Sequence, residues 1–257
     1  MSEKMKFSGK VVLITGASSG IGAATAIHFS KLGADLVLTG RNKENLLLVA
    51  DQCVGPKPFL IQTDITKETG VKDIIYNTID HFGKLDILIN NAGIIESGGI
   101  EETSLEQYDR IFTVNVRSMY QLTMLAVPHI IKTQGNIVNV SSVTGMRAFP
   151  NLLSYCMSKA AVNQFTECVA LDLASKGVRV NAVNPGVIVT QLHKRGGMTE
   201  EQYQEFLNSC KKSHALGRPG TVDEVAKAIT FIASDDATFM TGNIVPVDGG
   251  KHSMCPR

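Results

Sequence analysis

The chain has 257 residues, 44% hydrophobic and 19% charged, which is the composition of a globular protein and excludes a disordered or fibrous one. Lys plus Arg number 25 against 24 Asp plus Glu; this net charge of +1 argues against a nucleic-acid or membrane-surface partner, and no apolar run reaches the length of a membrane span. The five cysteines are scattered without a CxxC and the six histidines without an HExxH, so neither a disulfide framework nor a metal site is expected and a reducing, cytoplasmic setting fits.

Met1–Lys10 carries charges and no apolar signal-peptide centre. Lys10–Ile14 is a short, mostly apolar run, as expected of a buried parallel strand. Thr15–Gly22 follows it at once, and Ala23–Leu32 reads as a helix stopped by Gly33. Strand, glycine-rich turn and helix make the first half of a dinucleotide site, with Gly16, Ser18, Ser19, Gly20, Ile21 and Gly22 as its candidate residues. Glycines let backbone N–H groups approach a pyrophosphate, whose charge sits at the helix N-terminus. The spacing is G-x-x-x-G-x-G, which departs from the standard G-x-G-x-x-G fingerprint.

Leu36–Thr39 is the second strand. At its end an acidic residue suits the ribose of NAD and an arginine the 2′-phosphate of NADP. Gly40 and Arg41 stand there, so NADP(H) is expected to be preferred, with NAD(H) possible. Lys43–Cys53 reads as helix, Pro58–Gln62 as strand and Lys67–Phe82 as a helix ending at Gly83. Leu85–Ile89 is a strand running into Asn90-Asn91-Ala92-Gly93. Ser104 can cap a long helix to about Lys132, which Pro128 must kink unless it lies near the end. Asn136–Val140 is a strand entering Ser141-Ser142, and Val178–Val183 another, ending at Asn184-Pro185-Gly186. Glu200–Ser213 and Asp223–Ala233 read as helices, and Ile244–Val247 as a last strand. Strands alternate with helices without a composition break. The fold class is therefore α/β, a Rossmann-type doubly wound parallel sheet of about seven strands with helices on both faces, in one domain over residues 1–257. Each polar cluster follows the carboxyl end of a strand, the edge where such sheets bind ligands.

The helix from about Tyr155 to Lys176 carries Tyr155 and Lys159 at i and i+4, on one face. A nearby ammonium lowers a phenol's pKa, and a tyrosine tuned in this way can give a proton to a carbonyl oxygen or take one from an alcohol.

Four clusters in order, Thr15-Gly16 with Gly20 and Gly22, Asn90-Asn91-Ala92-Gly93, Ser142 with Tyr155 and Lys159, and Asn184-Pro185-Gly186, resemble the short-chain dehydrogenase/reductase family from about Gly9 to Gly250. The likeness is to its compact branch and to 3-oxoacyl-carrier-protein reductase-like members. The resemblance implies Tyr155 as acid–base residue, Lys159 lowering its pKa and holding the nicotinamide ribose, and Ser142 bonding the substrate oxygen. It implies that Asn115 holds a water that relays protons from Lys159. Asp64 would bond the adenine amine, with Ile65 beside it; Asn90, Ala92, Gly93, Pro185 and Gly186 would line the cofactor, and Ile188 and Thr190 hold the carboxamide. A homotetramer joined through the helices around 104–132 and 155–176 and the stretch 242–250 is also implied.

The expected reaction interconverts a ketone and a secondary alcohol. A 3-oxoacyl thioester reductase and a non-catalytic dinucleotide sensor are the alternatives; a hydrolase is disfavoured because no G-x-S-x-G occurs. Residues 191–217 read as a substrate lid with a hinge at Gly196-Gly197. The expected pocket wall is Ile94, Ile95, Ser142, Val143, Leu152, Leu153, Tyr155, Val187 and Leu192. Its apolar character favours an apolar ketone over a thioester; His193, Lys194 and Arg195 are the residues placed to greet an anionic group, with solvated loop charges as the preferred reading of them.

Overall fold

Seven apolar runs become strands because helices bury both their faces. In the computed structural model, which describes residues 6–254, they are β1 (Val11–Thr15), β2 (Asp35–Gly40), β3 (Phe59–Gln62), β4 (Ile87–Asn90), β5 (Asn136–Val140), β6 (Arg179–Pro185) and β7 (Ile244–Val247). All pair in parallel, in the order β3-β2-β1-β4-β5-β6-β7. The order reverses between β1 and β4, which opens a crevice at the carboxyl ends of those strands. Half of the stretch read for a signal peptide, residues 1–5, and the fifth cysteine, Cys255, lie outside the described residues.

The helices are α1 (Gly20–Lys31), α2 (Lys43–Ala50), α3 (Glu68–Phe82), α4 (Leu105–Phe112), α5 (Ser118–Thr133), α6 (Leu153–Ala174), α7 (Leu192–Arg195), α8 (Glu200–Ser213) and α9 (Val222–Ala233). Side-chain alternation along β1 splits the core in two. Val12 and Ile14 pack with Ala26 and Phe29 of α1, Leu46 of α2 and Ile229 of α9. Val11 and Leu13 pack with Ile74 of α3, Leu122 and Ile130 of α5 and Leu173 of α6. Each such side chain, fully buried, contributes roughly 1.5–3 kcal/mol.

Some sequence-based boundaries change. The single helix expected from Ser104 is capped by the Ser104 side chain as anticipated, but it widens into a π turn over Thr113–Arg117 before continuing as α5. Pro128 lies inside α5 near its end, as anticipated: Pro128 and Met124, whose carbonyl loses its helical partner, are both exposed, so water can serve that carbonyl. β6 extends to Pro185 because it pairs with β7 through that residue, and a short helix, α7, opens the 191–217 segment ahead of Gly196-Gly197.

Candidate active site

The glycine-rich turn is shaped by close approach. Gly16 holds φ +63, and a Cβ on it would stand 2.9 Å from Ala92 Cα. A Cβ on Gly22 would sit 2.4 Å from the Gly16 carbonyl oxygen, so α1 starts directly under the turn. The Thr15 hydroxyl accepts from the N–H groups of Asn91 and Ala92, each at 3.0 Å, and the Asn91 amide donates to the Thr15 carbonyl at 2.8 Å. These bonds lock the Asn-Asn-Ala-Gly segment against the turn. Ser19, at the N-cap of α1, makes no capping bond, and the first turn of α1 holds no acidic residue. Its orphan N–H groups and positive dipole end are therefore left for an anion from the cleft.

The carboxyl ends of the strands enclose a cleft of about 300 Å³. Gly16, Ser18, Ser19, Gly20, Ile21, Arg41, Asp64, Ile65, Ala92, Gly93, Pro185, Gly186, Ile188 and Thr190 line it, as the sequence led one to expect. Ile94, Ile95, Ser142, Val143, Leu152, Tyr155, Lys159, Val187 and Leu192 line it too. Four expected residues lie elsewhere. Gly22 is under the turn, and Leu153 opens α6 outside the wall. Asn90 is turned into the sheet, where its amide donates to Thr123 and Asn139, and its neighbour Asn91 takes the place at the cleft. Asn115 occupies the π turn; its carboxamide accepts from Ile94 N–H at 2.8 Å and donates to the Ile94 carbonyl and the Ser158 hydroxyl. Asn115 and Asn90 instead border a small polar cavity of about 10 Å³ behind Lys159, on the order of one water molecule's space.

Ser142 and Tyr155 meet in the cleft wall. The Ser142 carbonyl is held by Asn184 at 2.7 Å, its hydroxyl accepts from Thr144 N–H, and its side chain lies near enough to the Tyr155 phenol to pull that pKa down. Ser141 is spent structurally, its hydroxyl donating to the Lys159 carbonyl at 3.0 Å. Lys159 Nζ donates to the Val140 carbonyl at 2.9 Å and lies 5.8 Å from the Tyr155 ring centre. Burial pushes the Tyr155 phenol up to about 12, against a downward pull from Ser142, and Lys159 is not among the groups that lower it. Burial also brings Lys159 down to about 8, so its charge is itself weakened near neutrality.

Side chains the sequence reading missed complete the wall: Thr63 and Thr66 near Asp64, and Phe149, Phe206 and Lys251 at the other end. No local pattern marks them, because the fold brings them in from separate segments. In residues 191–217, Tyr203 is buried and its hydroxyl clasps both the N–H and the carbonyl of Thr190. Arg195 reaches across to the Ser19 hydroxyl at 3.0 Å. A larger cavity, about 520 Å³, opens at the amino ends of the strands, but Lys6 is paired with Asp236, Lys10 with Asp86, and Arg179 with three carbonyls there. Among the described residues no group of His, Cys, Asp and Glu could hold a metal, and no helix is long and apolar enough to cross a membrane.

The cleft fits a dinucleotide. The glycine cradle and the uncapped α1 would take a diphosphate, and Asp64 keeps an oxygen free, since its hydrogen bonds to Thr66 use only Oδ1. A family model described as "Enoyl-(Acyl carrier protein) reductase" matches residues 16–252. The chain is 36% identical to a 3-oxoacyl-[acyl-carrier-protein] reductase of Thermotoga maritima, covering 96% of this chain and 99% of that one. It is 37% identical to the meso-2,3-butanediol dehydrogenase of Serratia marcescens, over 96% of each. A Caenorhabditis elegans short-chain dehydrogenase/reductase of unknown function, crystallised with cofactor, superposes with a TM-score of 0.91 at 34% identity over 97% of each chain. The protein belongs to the short-chain dehydrogenase/reductase family, oxidoreductases that act on CH–OH groups with a nicotinamide dinucleotide.

Proposed function

We propose that the protein interconverts a ketone and a secondary alcohol, prefers NADP(H), and uses Tyr155 as its acid–base residue. The observation that carries this reading is the meeting of Ser142, Tyr155 and Lys159 on one wall of the cleft whose other wall is the glycine turn. Bound there, the dinucleotide would supply or accept the hydride. Gly16, Ser18, Ser19, Gly20 and Ile21 would hold its diphosphate, Asp64 and Ile65 its adenine, Ala92, Gly93 and Lys159 the riboses, and Pro185, Gly186, Ile188 and Thr190 its nicotinamide end. Arg41 is exposed, and its guanidinium makes no ion pair among the described residues, which suits it to a 2′-phosphate.

In reduction the Ser142 hydroxyl donates a hydrogen bond to the substrate oxygen and the Tyr155 phenol gives it a proton. A phenol held near 12 is fully protonated at neutral pH, as a proton donor must be. Lys159 returns the proton through the cavity it shares with Asn90 and Asn115, where Asn90 Oδ1 has no hydrogen-bond partner and the space suits one water. In oxidation the same groups run in reverse.

The wall of Ile94, Val143, Val187, Leu192 and Phe206 supports an apolar ketone as substrate. The charges at 193–195 are otherwise engaged: Lys194 pairs with Glu200 at 2.5 Å, Arg195 bonds Ser19, and His193 packs at a tilt against Phe206 with its pKa lowered by burial. A second reading, a 3-oxoacyl thioester reductase, is favoured by the activity of the Thermotoga relative. Residues 191–217 act as the substrate lid. The subunits assemble as a tetramer through α5 and α6, where Tyr120, Met124, Met157 and Leu171 stand exposed. The unpaired Cys53, Cys156, Cys168 and Cys210 suit a cytoplasmic setting. The test is purified protein with NADPH or NADH and a panel of ketones, diketones and a 3-oxoacyl thioester, followed by cofactor absorbance. Turnover of apolar ketones with NADPH is expected; faster thioester turnover would give the second reading, and no turnover of any carbonyl would leave only a dinucleotide sensor.

A further inference from the structure

Arg41, Lys159, Arg195 and Lys251 all line the cleft. Arg41 and Lys159 have employment in the cofactor and proton machinery argued above and Arg195 is bonded to Ser19, whereas Lys251 has no such role. It follows Gly249 and Gly250, whose φ angles of +57 and +79 turn the chain back after β7, and the Asp248 carboxylate pins that turn through the N–H groups of Gly250 and His252. The turn returns Lys251 to the cleft, where its ammonium sits 5.3 Å from the centre of the Phe149 ring.

Among the described residues none forms an ion pair with it. Asp248 is spent on Gly250, on His252 N–H and on the His252 ring at 2.9 Å, and it forms no ion pair with Lys251. His214 accepts from Val187 N–H through Nε2 at 3.2 Å and is held neutral by burial. Burial also holds the Cys210 thiol protonated. Among the described residues the one side-chain hydrogen bond Lys251 makes is to the Ser213 carbonyl, at 3.5 Å, the weak limit of such a contact. A half-buried ammonium on a largely apolar wall is costly unless an anion meets it.

We propose that Lys251 selects substrates that carry a carboxylate on an otherwise apolar body, so that the protein acts on oxo acids and hydroxy acids in preference to neutral ketones and alcohols. This rests on the oxidoreductase reading above. It places the specificity in a residue after the last strand, outside the lid charges at 193–195 that the sequence brings to mind.

The test compares medium-chain oxo acids with their methyl esters, NADPH as cofactor, in the native protein and in Lys251→Met and Lys251→Arg. The readout is the acid-to-ester ratio of kcat/KM within each protein, whatever a variant does to the ester rate itself. The native ratio should exceed about ten, as a charge-assisted hydrogen bond predicts, chiefly through a lower KM for the acid. Lys251→Met should bring it to one or below, and Lys251→Arg should keep it well above one. A native ratio near one, or a preference that survives in Lys251→Met, overturns the proposal while leaving the oxidoreductase reading intact. Absence of turnover of both acids and esters overturns both.

Discussion

Burial decides what Tyr155 can do. With the phenol at about 12 and the Lys159 ammonium at about 8, the proton-donor form of the pair dominates at neutral pH. A tyrosine whose pKa is raised by burial is ready to protonate an oxygen and short of the phenolate that alcohol oxidation needs. Oxidation in the cofactor-loaded protein should therefore accelerate as pH rises from 7 to 10, while reduction stays level near neutrality; a flat oxidation profile would remove Tyr155 as the base. Tyr155→Phe should lower kcat by about 10²–10⁴, the usual worth of a positioned acid–base group, and leave cofactor binding by fluorescence titration nearly unchanged. Retained turnover would end this mechanism. Arg41→Ala should weaken NADPH binding about tenfold while NADH binding changes little, the loss expected of one charge-assisted contact. Equal losses for both cofactors would show that Arg41 does not read the phosphate.

At the scale of elements, the cleft is assembled by short tethers between segments that are remote in sequence. Thr15 ties β1 to the Asn-Asn-Ala-Gly segment after β4, Asn184 ties the end of β6 to Ser142, and Asn115 ties its π turn to Ile94. A π turn at this place has a visible cause: the Asn115 carboxamide brackets both polar groups of Ile94, which draws the helix wall toward the cleft. The lid is tethered as well, by Tyr203 to Thr190 and by Arg195 to Ser19. Arg195→Ala should loosen it. The expected signs are faster subtilisin cleavage near Gly196-Gly197 and a several-fold weaker affinity for NADPH and NADH alike, in contrast to the selective loss at Arg41. Unchanged cleavage and affinity would reduce the Arg195–Ser19 bond to a surface contact.

At the scale of the whole molecule, one chain contains the complete cleft, so assembly is not required to bring catalytic groups together. The exposed Tyr120, Met124, Met157 and Leu171 on α5 and α6 still call for cover, since a monomer gains nothing by showing them to water. Multi-angle light scattering should give a tetramer at micromolar concentration, and Met124→Glu with Leu171→Glu should shift it to smaller species. A native monomer would set the proposal aside.

Much of this architecture could be read directly from the chain. Runs such as Val11–Thr15 and Ile87–Asn90 are apolar throughout because parallel strands are covered on both faces, and Gly83 and Ser104 mark helix ends by chemistry confined to a few residues. The cleft residues that follow each strand were legible for the same reason: chain order alone puts them on one edge of the sheet. Other features depend on contacts between distant segments. Whether Asn90 or Asn91 faces the cleft depends on Thr15 and Thr123, and whether Ser141 or Ser142 meets Tyr155 depends on α6. The direction of the Tyr155 shift is likewise tertiary: spacing brings an ammonium near, but desolvation by the packed wall is the largest influence on the phenol. Lys251 carries no local signal at all, because its environment is made of Phe149, Ser213 and Asp248, and a charge's surroundings exist only once the chain has closed around it.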